Sequence, residues 1–196
     1  MKKQVEIRLT GSGGQGVILA AIILAEAALL AGYETAQSQS YGPEARGGLC
    51  KAEIIVSASK IGFPKVTEPS FLLALTQEAL NKYSHGIFET CIVMADSSLS
   101  IPECLDPANV IHIPIIETAR NTVGKAITAN IVAIGAINTA LRLVSDDCIR
   151  KATTAQVPKA MADVNLKALQ AGKDLINDED IRPVSFSEVK VCCHKE

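Results

Sequence analysis

The sequence predicts an α/β protein: a three-layer α/β/α sandwich on a mostly parallel central sheet, with room for a mixed strand and a Rossmann-like first β-α-β unit. Three observations predict it. Apolar strand-like runs alternate with helical runs from Val5 to Gly172. Two of the strand-like runs, Cys91–Ala95 and Val110–Ile113, are apolar at most positions, as in a sheet buried on both faces. The first run leads through Gly11-Ser12-Gly13-Gly14-Gln15-Gly16 into a long helical run, and strand, glycine loop, helix is an order that binds phosphate.

The elements follow in order. Val5, Ile7 and Leu9 mark the first strand, Val5–Leu9. Val17–Ala31 reads as a helix that is apolar on nearly all sides, so it is expected to be buried both against the sheet and against a second layer. Gly32 ends it as a C′ glycine would. Glu34–Gln39 is the second strand and 41–48 a loop. Ala52–Val56 is rich in β-branched residues and reads as a strand. Phe71–Leu75 is a short strand, followed by a helix over Gln77–Tyr83. After the two apolar strands come a long helix, Ala129–Val144, and a shorter one from Pro158 to Ala171 that ends at Gly172. Periodicity is lost from Asn177, so residues 1–196 are expected to form one α/β domain with 177–196 as an extension or tail.

Composition narrows the class. Hydrophobic residues make up 48% of the 196, mostly Ala, Ile, Leu and Val with no Trp, which favours a close-packed interior over disorder. A net charge of −2 leaves no electrostatic footprint for nucleic acid. The longest apolar run is about 15 residues, roughly 23 Å as a helix, and contains Glu26; it is too short for a membrane span. No secretory leader pattern precedes it, and a cytoplasmic location is expected. None of the six cysteines is spaced C-x-x-C, so neither a zinc ribbon nor an iron–sulfur site is encoded, and no metal site is expected. Cys91 reads as a small core residue, while Cys192-Cys193-His194 falls in the expected tail.

Gly11, Gly13 and Gly16 fit the dinucleotide spacing G-x-G-x-x-G. A nicotinamide site also wants an acid at the end of the second strand, about 20 residues on. Here that end reads Ala36-Gln37-Ser38-Gln39-Ser40, and Glu34 stands at the wrong end. The loop is not a Walker A motif, because no Gly-Lys-Ser/Thr closes it. Three readings stay open: a dinucleotide, another phosphate or anionic group, or a tight turn that binds nothing. The loop Ser40-Tyr41-Gly42-Pro43-Glu44-Ala45-Arg46-Gly47-Gly48 is expected at the same sheet end, lining a crevice; Arg46 could meet an oxyanion with its planar fork, or pair with Glu44 in solvent.

Catalytic equipment is sparse. His85, His112 and His194 accompany no nucleophile motif, and His112 reads as a structural residue. Asp146-Asp147 and Asp178-Glu179-Asp180 read as turns or solvated surface. No catalytic residue is assigned to this chain alone, which points to a subunit that positions something for another chain. Ala129, Ala133, Ala136 and Ala140 form a small-residue stripe, beside a polar strip of Asn130, Asn138 and Arg142. The stripe allows close packing within the domain or a subunit interface.

Gly11-Ser12-Gly13-Gly14-Gln15-Gly16 followed by Gln37-Ser38-Gln39-Ser40-Tyr41-Gly42-Pro43-Glu44-Ala45-Arg46-Gly47-Gly48 closely resembles the gamma subunit of 2-oxoacid:ferredoxin (acceptor) oxidoreductases, most like the 2-oxoglutarate branch. The likeness continues through Phe63-Pro64-Lys65-Val66, Ala74–Ala79, Met94-Ala95-Asp96-Ser97 and Ala129–Ala136, and spans residues 3 to about 175. The resemblance implies a division of labour. Alpha and beta subunits hold thiamine diphosphate, an iron–sulfur (delta) subunit carries electrons, and ferredoxin or flavodoxin accepts them. The gamma part binds no cofactor tightly and helps form the site for the co-substrate coenzyme A. Residues Gly11 to Gly16 would then face coenzyme A. Ser40, Tyr41, Gly42, Pro43, Glu44, Arg46 and Gly47 would border the partner subunits. An isolated chain could pair as a homo-dimer through faces meant for its partners. The rival readings are an independent nucleotide- or phosphate-binding oxidoreductase and a non-catalytic scaffold subunit.

Overall fold

The computed structural model describes residues 4–41, the last by its backbone, and 48–184. Six strands form one sheet in the order β2-β3-β1-β4-β5-β6. They are β1 (Gln4–Ser12), β2 (Glu34–Tyr41), β3 (Leu49–Ser57), β4 (Phe71–Ala74), β5 (Ile92–Asp96) and β6 (Val110–Ile113). β3 runs antiparallel to both its neighbours, while β1, β4, β5 and β6 pair in parallel. The α/β class and the mostly parallel, mixed sheet are as expected. The Rossmann-like first unit is split: β1 and β2 share a direction and are joined by a helix, but β3 lies between them, with Ile54 opposite both Ile7 and Gln37.

Strand alternation builds two cores. Phe71, Leu73 and Met94 face one side with Ile7, Leu9 and Ile54; Leu72, Ala74, Val93 and Ala95 face the other. The first side is covered by helices α1 (Val17–Leu30), α3 (Ile115–Thr118), α4 (Ala129–Leu141), α5 (Asp146–Gln156) and α6 (Ala162–Lys173). Helix α2 (Gln77–Tyr83) covers the second through Leu80. On α2's side Glu53 takes Arg8 at 2.7 Å and Lys51 at 3.0 Å, and Arg8 stacks over the Tyr83 ring.

Helix α1 is nearly all apolar because it lies between the sheet and the outer helices, in contact with β1, β3, α4 and α5. It ends as expected: Gly32, at φ +86, donates to Leu29 O at 2.9 Å, and Tyr33 donates to Ala28 O at 3.0 Å. In α4 every residue but Thr139 is buried. Ala133, Ala136 and Ala140 have no exposed surface, so the small-residue stripe packs inside the chain; its reading as a subunit interface is overturned. The closest approach is between α4 and α6. A Cβ on Gly135 would collide with the carbonyl oxygen of Leu169, and one on Gly172 with that of Val132.

Several boundaries differ from expectation for physical reasons. β1 continues through Gly11 and Ser12 because Cys50 and Leu49 of β3 pair with them. Gly172 does not end its helix; it lies inside α6, where it admits α4. The long helix stops at Leu141, where Arg142 turns left-handed at φ +48. Asp146-Asp147 are exposed, as solvated surface should be, but they form the first turn of α5 and not a loop turn, capped by Ser145 Oγ, which accepts from Cys148 N at 3.3 Å. That helix buries Ile149, Ala152 and Thr153 and exposes most of its polar remainder. The single turn α3 and the π-helical turn Ala119–Val123 after it were also not expected. Residues 181–184 fold back on α4, with Arg182 N donating to Ala140 O at 2.7 Å and Val184 N to Leu141 O at 2.9 Å. Cys192, Cys193 and His194 lie outside the described residues.

Candidate functional site

The site starts from the sheet order. β1 feeds α1 on one face and its neighbour β4 feeds α2 on the other, so the chain diverges between these two strands. In open α/β sheets that divergence opens a crevice at the carboxyl ends of the strands, where ligands bind. Here it is bordered by Gly13–Gly16 after β1 and by Leu75 and Thr76 after β4.

The glycine loop is built by short-range constraints. Gly13 N donates to Gly48 O at 2.9 Å, and Gln15 N to Ser12 O at 3.2 Å. The Gln15 side chain folds back over the turn, accepting from Ser12 N at 2.7 Å and donating to Leu75 O at 3.4 Å. Gly11 leaves room for it, since a Cβ there would sit 2.5 Å from Gln15 Oε1. Gly14 and Gly16 adopt φ +97 and +71, the left-handed region that favours glycine. Gly14 is exposed, and open space surrounds the position of its absent Cβ.

Gly16 is the N-cap of α1, and its carbonyl accepts from Ala20 N at 3.0 Å and from Asn130 Nδ2 at 3.2 Å. No side chain caps this helix and no acidic residue stands in its first turn. The contrast within the chain is clear: α2 has Thr76 as cap with Glu78 behind it, and α5 has Ser145 with Asp146 and Asp147. The first amides of α1, those of Val17 and Ile18, meet no acceptor among the described residues. Among the described residues, the N-terminus of this fourteen-residue helix thus leaves N–H groups without an acceptor, with the positive end of its dipole beside the crevice, which suits an anion.

The second motif arrives at the same edge. Gly11, Cys50 and Tyr41 stand in one row across β1, β3 and β2, and Ser40, exposed, lies opposite Lys51. Gly42, Pro43, Glu44, Arg46 and Gly47 lie outside the described residues, but the positions that flank them are joined to the glycine loop through Gly48 and Cys50. The split unit also bears on the dinucleotide reading. Where a Rossmann fold brings the second strand beside the first, β3 enters with Leu49 and Cys50, and Glu34 sits at the opposite end of β2.

Asp96 is buried at the end of β5; one carboxylate oxygen accepts from Ser98 N at 3.0 Å and from Ser98 Oγ, and the other accepts from Ile116 N at 2.8 Å. A cavity of about 480 Å³ beside it is lined by Ser97, Ser98, Glu117, Arg120 and Asn121 among others. His112 is exposed, with Nε2 3.1 Å from Asp96 O. Cys50 is buried, and desolvation pushes its thiol pKa up. No cluster of three or more His, Cys, Asp or Glu side chains fit to hold a metal ion occurs among the described residues. No helix among them is long and apolar enough to cross a membrane.

Asn130 is the site residue that motif reasoning left aside as part of a polar strip. Its signal was present: an amide side chain in the first turn of a helix whose next seven residues are all Ala, Ile, Val or Gly.

Comparison with known proteins agrees with this geometry. The family model for pyruvate ferredoxin/flavodoxin oxidoreductase matches residues 6–175. The chain is 40% identical over 181 residues to the 2-oxoglutarate synthase subunit KorC of Methanocaldococcus jannaschii, covering 91% of this chain and 97% of that one. The crystal structure of the gamma subunit of a keto/oxoacid ferredoxin oxidoreductase from Geobacter sulfurreducens superposes with TM-score 0.77 at 44% identity, covering 88% of this chain and 95% of that one. The same fold recurs in the 2-oxoglutarate:ferredoxin oxidoreductase of Magnetococcus marinus, solved with 2-oxoglutarate, coenzyme A and succinyl-CoA bound. There the TM-score is 0.80 at 24% identity, over 89% of this chain and 31% of that longer one. With its glycine loop, sheet order and near full-length match, the chain belongs to the pyruvate ferredoxin/flavodoxin oxidoreductase family.

Proposed function

We propose that this chain is the gamma subunit of a 2-oxoacid:ferredoxin oxidoreductase acting on 2-oxoglutarate, and that its glycine loop receives the pyrophosphate of coenzyme A or shapes the channel that admits it. The complex decarboxylates the oxoacid, transfers the acyl group to the coenzyme A thiol, and passes two electrons one at a time to ferredoxin or flavodoxin. Thiamine diphosphate belongs to alpha and beta subunits and the iron–sulfur centres to a delta subunit, all in the cytoplasm. The gamma chain contributes recognition rather than bond chemistry. Tyr41, Gly42, Pro43, Glu44, Arg46 and Gly47, with Ser40, border the thiamine-bearing partners.

The observation that carries the coenzyme A assignment is the uncapped N-terminus of α1 on a glycine loop at the switch point. A pyrophosphate there would meet the amides of Gly13 to Gly16 and the first turn of α1, as anions do at such helix ends. The family's reaction needs a coenzyme A site, and KorC is a 2-oxoglutarate synthase subunit.

The test is Gly14→Asp beside Gly14→Ala in the purified complex. Both side chains enter open space and both strain the same φ of +97, so they differ in charge and the few atoms that carry it. A KM for coenzyme A raised well above that of the alanine variant is the expected result. Equal KM values in the two would remove the phosphate role and leave the loop as a packing element.

A further inference from the structure

We infer that Asn130 is a positioning residue for coenzyme A: it reaches from α4 to hold Gly16 in the left-handed conformation that aims the first amides of α1 into the crevice. The inference rests on the glycine-loop reading above. Asn130 is 3% exposed in a helix whose other buried positions are almost all apolar. A buried carboxamide is costly unless its polar atoms are bonded, so packing alone does not account for it. Nor does Asn130 cap its own helix, whose N-terminus has no side-chain cap. Its Nδ2 donates 3.2 Å to Gly16 O, across 114 residues of sequence.

The fit is mutual. A Cβ on Gly16 would lie 2.5 Å from Asn130 Nδ2, so the amide occupies the space that glycine leaves. The Gly16 carbonyl also takes the first helical bond of α1, from Ala20 N at 3.0 Å. Holding that oxygen from two sides sets the orientation of the Gly16–Val17 peptide and of the amides that follow. The anchor is rigid, because α4 is locked to α6 at Gly135 and Gly172. Gln15 secures the other end of the loop to β1 and to Leu75. The loop is thereby set before a ligand arrives, and donors fixed in advance bind an anion without an ordering cost at the moment of binding.

The experiment uses the assembled complex carrying Asn130→Ala, with Asn130→Ser as a second variant of smaller volume change. It reads KM for coenzyme A, KM for 2-oxoglutarate, kcat at saturating coenzyme A, and the thermal midpoint. Expected is a rise of about tenfold in KM for coenzyme A, the size of one lost hydrogen bond, with kcat and the oxoacid KM within about twofold of wild type. Gly14→Asp is run in parallel. If Gly14→Asp raises the coenzyme A KM while both Asn130 variants leave it unchanged, the positioning role is overturned and the coenzyme A site stands. If neither position affects it, the coenzyme A reading itself fails and the inference with it. Equal rises in the KM values of both substrates, tracking a lowered thermal midpoint, would reduce Asn130 to a packing residue. Should the alanine complex not assemble, the serine variant is read by the same criteria.

Discussion

The backbone N–H of Gly13 donates to the carbonyl oxygen of Gly48 at 2.9 Å, joining the glycine loop to the last residue of the second motif. Two segments that look like separate signatures in the sequence are thus one object. β3 brings them together: Leu49 and Cys50 pair with Ser12 and Gly11 on one side, and Cys50 pairs with Tyr41 on the other. A ligand or partner subunit that meets one motif therefore lies beside the other.

Gly172→Ala is expected to destabilise the chain by about 1–3 kcal/mol, as overpacking of a tight core does, even though alanine is the better helix former. The new methyl would meet the Val132 carbonyl, a backbone atom that a rotamer change cannot move aside. Thermal unfolding of the variant checks this; an unchanged or raised midpoint would mean that α4 and α6 do not approach as closely as the structure places them.

Glu6 anchors the segment between β3 and β4. Its Oε2 accepts from Thr67 N at 2.9 Å and Glu68 N at 3.0 Å, and it is 9% exposed. Glu6→Ala leaves both amides without their acceptor, at about 1–3 kcal/mol. Glu6→Gln keeps a carbonyl acceptor and is expected to cost less. Trypsin cleavage after the exposed Lys60 and Lys65 should accelerate in the alanine variant more than in the glutamine one.

The thiols should separate by burial. Cys104 is exposed and Cys50 and Cys91 are buried, so peptide mapping after iodoacetamide at neutral pH should find Cys104 modified and Cys50 untouched. Burial raises the Cys50 pKa above its ordinary value of 9.0, so the thiol is neutral in the folded chain. The sign follows: stability is unaffected below about pH 9 and falls as pH rises from there through the folded-state pKa, because only the unfolded chain ionises freely in that window. Cys50→Ala should flatten that fall in urea midpoints measured from pH 8 to 10.

Much of the molecule was legible locally. The span of α2, the C′ role of Gly32, the position of α1 and the absence of an acid at the end of β2 depend on residues close in sequence, and strand and helix periods report them directly. The same locality hid α5. Its Ser145 cap and acidic first turn are helix signals, but eight of its eleven residues are not buried and its Thr153-Thr154 pair lowers helix propensity.

By itself the sequence determined the α/β class, most of the elements, the glycine loop and, through its two motifs, the family. Tertiary structure alone decided that β3 divides the first β-α-β unit, that the alanine stripe of α4 faces inward, that Gly172 admits a neighbouring helix instead of ending its own, and that Asn130 meets Gly16. The reason is physical. Propensity and periodicity act over a few residues along the chain, whereas strand order, helix contacts and a bond across 114 residues depend on which surfaces remain to be covered once those elements collapse together.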